Sequence, residues 1–107
     1  MSLTTSSVDV LTTIARSLVV AQKYASVEEA LQAMAVSEVQ RKMGYYRRRI
    51  RALERKYGTD FETFSARLQA RATPAEEDDW LGWRSANRML ADWQTAYEEL
   101  QSAQLRS

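Results

Sequence analysis

Residues 36–57 read VSEVQRKMGYYRRRIRALERKY, and the spacing of their apolar side chains decides the fold. From Val36 onward, apolar residues recur at alternating steps of three and four residues. This is a heptad pattern, in which the first and fourth positions of each repeat face a partner helix. The members of this row are Val36, Val39, Met43, Tyr46, Ile50, Leu53 and Tyr57. The stretch therefore predicts a long helix with one apolar stripe, of the coiled-coil kind.

A second row with the same rhythm lies nearer the C-terminus. Its members are Trp83, Ala86, Leu90, Trp93, Tyr97 and Leu100. Between the two rows, Phe61, Phe64 and Leu68 give a short segment an apolar edge. Two long apolar stripes joined by a short helix favour an antiparallel helical hairpin, with the short helix closing its open end. The spacing of these aromatic residues is that of a buried helix face, so core packing is the simplest interpretation of each.

Capping signals divide the chain into four helices. Ser26, Thr59 and Thr73 each stand three residues before a Glu, the arrangement in which hydroxyl and carboxylate cap a helix reciprocally. Pro74 suits a first helical position, and Gly58 suits a helix end. The predicted helices span about residues 7–23, 27–57, 60–71 and 74–104, within one domain of residues 1–107 whose first residues, 1–6, are expected to be disordered.

The first predicted helix has two interpretations. Val8, Leu11, Ala15 and Leu18 follow helical spacing, but the Thr and Val content of the segment also suits a strand. Two paired helices have little interior, so the apolar residues outside the two rows must be buried by another segment that covers them. That cover is either the first helix or a second copy, and we expect a homodimer that forms a helical bundle.

Composition excludes many functional classes. The 107 residues include no Cys and no His, which removes disulfides, the usual zinc sites, thiol nucleophiles and the commonest acid–base group. There is no glycine-rich phosphate loop or nucleophile motif. We therefore expect no enzyme activity, catalytic residue, cofactor, metal or small-molecule substrate. No apolar run reaches the length of a membrane span, and no secretory signal is evident, which favours a cytoplasmic protein.

Charge is distributed unevenly although the net charge is only +1. Residues 1–59 carry ten Lys/Arg and five Asp/Glu, whereas residues 60–107 carry five and nine. Heptad numbering places two rows of bases side by side on the long second helix, about 10 Å between successive members. The rows are Arg41, Arg48 and Arg55 at position f, and Lys42, Arg49 and Lys56 at position g. This basic strip fits a nucleic-acid backbone, an acidic protein partner, or a solvated face that pairs with the acidic half.

The acidic run EEDDW, residues 76–80, opens the last predicted helix. Carboxylates in a first turn complement the helix dipole, but four exceed what capping requires. Beside two tryptophans, they predict a surface for a basic protein partner, with tryptophan as the buried anchor. A metal site is disfavoured because consecutive helix residues point in different directions. The predicted partner-binding residues are Glu76, Glu77, Asp78, Asp79, Trp80 and Trp83.

These motifs resemble those of a known class of protein. The segment KYGTDFETF at residues 56–64, the acidic run and the Trp80–Trp83 pair are similar to small helical antitoxin-like proteins of prokaryotic toxin–antitoxin modules. The segment ASVEEAL at residues 25–31 is similar to a helix opening common among them, and the resemblance covers about residues 25–100. It implies a non-enzymatic protein that dimerises and neutralises a small toxin. Such proteins often carry an N-terminal DNA-binding element, but residues 1–24 contain only two bases and depart from that pattern.

Two functions are therefore predicted, with a third as the simplest alternative. The first is an antitoxin-like protein-binding module that neutralises or scaffolds a small partner through the acidic run. The second is a helical protein that binds nucleic acid through the basic strip. The third is a structural dimer whose apolar stripes serve only to pack against each other.

Overall fold

The computed structural model describes the backbone of residues 3–106 and the side chains of residues 7–104. Within that range the chain forms four α-helices and no strand. The helices are α1 (Leu3–Val20), α2 (Val27–Tyr57), α3 (Phe61–Ala70) and α4 (Pro74–Arg106). The prediction of an all-α helical hairpin with a short connecting helix and an N-terminal helix is confirmed.

The first segment is a helix and not a strand, and its ends differ from the predicted ones. Helix α1 begins at Leu3, within the segment expected to be disordered, whereas Met1 and Ser2 lie outside the described residues. It stops at Val20, before the predicted end at residue 23. The reason is a turn in which Gln22 has a φ of 61° and the Lys23 N–H donates to the Leu18 carbonyl at 2.9 Å.

A side chain caps each of α2 and α4, and the predicted reciprocal capping is present in full at α4. At α2 the Glu29 N–H donates to Ser26 Oγ at 3.1 Å. At α4 the capping is reciprocal: the Glu76 N–H donates to Thr73 Oγ1 at 3.2 Å, and the Thr73 N–H donates to Glu76 Oε1 at 3.0 Å. Pro74 is the first residue of that helix. The local sequence therefore fixes where both long helices begin.

The start of α3 differs by one residue from the predicted one. Asp60, and not Thr59, is the N-cap, and its Oδ1 accepts a hydrogen bond from the Thr63 N–H at 2.8 Å. That hydrogen bond lowers the pKa of the Asp60 carboxyl. Just before it, Gly58 ends α2 with a φ of 67°, and its N–H donates to the Glu54 carbonyl at 2.7 Å. This left-handed conformation is the one that glycine adopts most easily.

The chain divides into two compact units. One contains the residues up to Glu38 together with those from Glu99 onward, and the other contains Val39–Glu98. The single predicted domain does not anticipate this division, because it falls within α2 and α4 and no linker marks it.

The second unit, Val39–Glu98, contains the antiparallel pairing of the hairpin. Lys56 of α2 meets Asp79 near the start of α4, whereas Met43 shares a groove with Tyr97 farther along α4. Every heptad-row residue of this unit is buried or half-buried, with Trp83 only 1% exposed. The buried residues are Val39, Met43, Phe64, Trp83 and Ala86. The two predicted rows thus form the core.

The first unit buries small residues. Ala15 of α1 and Ala30 of α2 are both 0% exposed. In the same unit, Gln32 Nε2 donates to the Leu100 carbonyl at 2.8 Å and so links α2 to the end of α4. Small buried side chains allow close packing but remove little apolar area from water, so this unit has a thin core.

Candidate functional site

An aromatic cluster fixes the end of the hairpin where α2, α3 and α4 meet. The Phe64 ring centroid lies 4.1 Å from that of Tyr57 and 5.4 Å from that of Trp83. Phe61 packs against Trp83 at 5.6 Å and against Trp80 at 5.9 Å. Trp83 is one of the predicted partner-binding residues and also a member of the heptad row. In the folded chain it lies inside the cluster, 1% exposed, and offers almost no surface to a partner.

Trp80 is the member of the pair that reaches the surface. Its ring is half-buried, its Nε1 donates to Ser65 Oγ at 2.8 Å, and the Arg84 guanidinium lies 5.5 Å from the ring centroid. Trp80 also lines an open groove between α3 and α4. The groove is lined by Ser65, Leu68, Gln69, Ala72, Glu77 and Trp80. The structure therefore holds Trp80 in one orientation at the edge of a partly apolar groove.

Two of the four carboxylates in the acidic run have roles within the chain. Glu76 caps α4, as described above. Asp79 Oδ2 accepts from Lys56 Nζ at 2.7 Å and from the Tyr57 hydroxyl. The Lys56 hydrogen bond is the main cause of a lowered Asp79 pKa, and the bond to Asp79 raises the pKa of both Lys56 and Tyr57. This three-residue clasp joins the end of α2 to the start of α4.

The remaining two carboxylates, Glu77 and Asp78, are exposed. Leu81, one turn farther on, is 55% exposed, although the sequence pattern did not single it out. Glu77 also lines the groove beside Trp80. The candidate partner contacts on α4 are thus Glu77, Asp78, Trp80 and Leu81. Glu77 and Trp80 line the groove between α3 and α4, whereas Asp78 lines the groove that Arg49 also lines. We call the set of candidate contacts the groove surface.

The basic strip of α2 divides into two rows with different surroundings. In the g row, Lys42 is half-buried and Lys56 belongs to the Asp79 clasp. Arg49, also in that row, donates to the Tyr45 hydroxyl at 3.4 Å and lines a groove together with Asp78 and Asp79. The f row is exposed at all three positions, namely Arg41, Arg48 and Arg55. Of the two rows, the f row is therefore the one exposed at every position.

In the first unit, helix α1 exposes an apolar surface. Its exposed large side chains are Val8, Val10, Leu11, Ile14 and Val20. Leu11 also lines a groove with Leu31, Met34 and Ala35 of α2. Helix α1 thus lies against apolar side chains of α2 within the first unit while it exposes apolar side chains of its own.

Neither a metal site nor a membrane span is found in the part of the chain that the structure describes. No group of three or more His, Cys, Asp or Glu side chains is arranged to hold a metal ion there. None of the helices in residues 3–106 is long and apolar enough to cross a bilayer. The chain matches no protein-family model, no curated protein and no solved structure.

Proposed function

We propose that the chain is a non-enzymatic, antitoxin-like protein-binding module that neutralises or scaffolds a small partner protein. The observation that carries this proposal is the groove between α3 and α4. Leu68, Ala72 and Trp80 give it an apolar lining, and Glu77 lies at its edge. An apolar recess with a charged margin is typical of the pockets that accept anchor side chains at protein interfaces.

The charge of the groove surface indicates the chemistry of the partner. Glu77 and Asp78 have no ion-pair partner among the described residues, and their role in complementing the α4 dipole does not require both. A basic partner surface that presents one apolar side chain would fill the recess and meet Glu77 at its edge, and a partner that extends around α4 would also meet Asp78. Charge complementarity of this kind guides association and selects the partner.

Co-expression with the product of the adjacent gene tests this proposal. We expect the two proteins to co-purify, and the double substitution Glu77→Lys/Asp78→Lys to weaken the complex by at least tenfold. The matched control is Glu98→Lys/Glu99→Lys, which makes the same charge change at exposed positions near the other end of α4. Absence of a complex with a folded neighbour, or equal weakening by both double variants, would contradict the proposal.

We also propose that a second copy of the chain covers the exposed apolar face of α1. Contiguous exposed apolar surface on a soluble protein usually marks an interaction site. A second copy fits because the described side chains of α1 include one acid, Asp9, and one base, Arg16, so two α1 helices carry no net like charge against each other. Symmetric homodimers are the commonest oligomers.

Sedimentation equilibrium measures this association directly. Ile14 is 44% exposed, and we expect Ile14→Asp to convert the dimer to a monomer. The neighbouring Thr13→Asp, also at an exposed position, introduces the same charge beside the apolar face and should leave the dimer intact. A wild-type chain that sediments as a monomer at high concentration would exclude a second copy as the occupant.

A further inference from the structure

The outer face of α2 in the second unit carries arginine residues that the fold does not use. Residues 39–57 contain eight Lys/Arg and a single Asp/Glu, which is Glu54. Arg48, Arg51 and Arg55 follow one another at steps of three and four residues, so they share one side of the helix. All three are exposed, and none forms an ion pair with a described residue. We call them the arginine face.

Internal pairing with the acidic half does not account for this face. The contact between the basic strip and the acidic run is made by the g row, through Lys56 and Asp79 at 2.7 Å. The arginine face lies on the side of α2 opposite the buried heptad row, because its members occupy positions f and b. The bases that meet α4 and the bases that face outward are therefore different residues.

Gly44 increases the space available on the same side of α2. A Cβ at this position would lie 3.2 Å from Arg48 Nη1, so the Arg48 side chain extends back along the helix over Gly44. The guanidinium can take this position because no side chain occupies it. Mid-helix glycine costs about 1 kcal/mol relative to alanine, and here it leaves space for the Arg48 guanidinium along the surface of the helix.

We infer that the arginine face binds the phosphate backbone of a nucleic acid. Arg48 and Arg55 are seven residues apart, about 10 Å along the helix, with Arg51 between them. A row of this kind fits a linear polyanion better than a single phosphate group. One guanidinium group can donate hydrogen bonds to two oxygens of a phosphate, and it is less strongly hydrated than an ammonium group. Both properties make arginine suitable for contacts with a phosphate backbone. This inference rests on residues separate from the groove surface, so each can fail without the other.

Fluorescence anisotropy with labelled single-stranded DNA, single-stranded RNA and duplex DNA of mixed sequence tests this inference. We expect binding that weakens steeply with salt, since each neutralised phosphate of a duplex releases counterions and adds roughly 0.9 to the slope of log affinity against log salt. Arg48→Gln/Arg51→Gln/Arg55→Gln should weaken binding at least tenfold and reduce that slope by between two and three. The variant with Lys at all three positions should retain most of the slope.

The matched control is Arg67→Gln/Arg71→Gln/Arg88→Gln, which removes the same charge from exposed positions outside α2. Circular dichroism verifies that both triple variants remain helical. A control that binds as weakly as the arginine-face variant would show that net charge alone is responsible, and would overturn the inference. Absence of binding to all three probes at low salt would do the same, as would displacement of the probe by polyglutamate as readily as by unlabelled nucleic acid.

Discussion

Replacing Trp83 with alanine should cost about 3–5 kcal/mol of the free energy of unfolding, the usual range for removing a buried large aromatic side chain. The side chain is 1% exposed, and its ring lies 5.4 Å from Phe64 and 5.6 Å from Phe61. Aromatic pairs at such distances add about 0.5–1.5 kcal/mol each beyond burial, which places the expected loss in the upper part of that range. A domain of this size has a total stability of about 5–15 kcal/mol, so a loss of about 5 kcal/mol removes about a third of the stability at the upper end of that range and nearly all of it at the lower end.

Urea unfolding followed by far-ultraviolet circular dichroism measures this loss. The matched control is Leu81→Ala on the same helix, where the side chain is 55% exposed and the expected change is within about 0.5 kcal/mol. If the free energy of unfolding falls with urea concentration at the same slope in both variants, then both expose a similar amount of surface on unfolding. A loss below about 1 kcal/mol for Trp83→Ala would refute its placement in the core and return it to the set of candidate partner contacts.

Three further predictions concern helix ends, helix interiors and the clasp. Gly58→Ala should destabilise the protein by about 1–2 kcal/mol. A Cβ there would meet nothing within 4 Å, but a φ of 67° is strained for any residue with a Cβ. Thermal unfolding measures this loss, and an unchanged midpoint would contradict the prediction. Gly44→Ala should instead stabilise the fold by up to about 1 kcal/mol in the same assay, since the nearest atom belongs to a flexible arginine side chain, and a loss of stability would show that this side chain cannot move. The lowered Asp79 pKa means that its bonds to Lys56 and Tyr57 contribute stability above the ordinary carboxyl value of 3.8, and that this contribution is lost as the pH falls through the lower pKa of the folded state. Acid titration of the free energy of unfolding should therefore show a smaller decline in Asp79→Asn than in the wild type, and identical declines would exclude the clasp as a source of acid sensitivity.

The sequence predicts the helical pairing well because heptad spacing and capping are local signals. Thr73 and Glu76 lie three residues apart, and their side chains cap the same helix wherever that helix packs. The end of α1 shows the opposite case. Gln22 takes a left-handed conformation without being glycine, so no residue type marks the turn. Helical spacing therefore predicts a helix that continues beyond Val20, where it actually stops.

The candidate site is harder to predict because exposure depends on packing between distant segments. Trp80 and Trp83 are equally good anchors by residue type. The heptad row includes only Trp83, but the packing against Phe61 and Phe64 that buries Trp83 and leaves Trp80 half-buried depends on a separate helix. The acidic run shows the same limit. Asp79 meets a lysine 23 residues earlier in the chain, and spacing within the run gives no sign of that contact.

These contacts explain part of the uneven distribution of charge along the chain. Part of it is used locally, where Glu76 caps a helix and Lys56 meets Asp79. Among the exposed charges that remain in the second unit, the arginine face on α2 and the two carboxylates of the groove surface on α4 carry opposite signs. Added salt should weaken binding at both surfaces, so salt sensitivity alone cannot tell which one a ligand occupies. Neutralising only the arginine face distinguishes the two surfaces. It should weaken binding to a polyanion at least tenfold. A basic protein partner should stay bound as tightly as before, or slightly more tightly, because less positive charge then repels that partner.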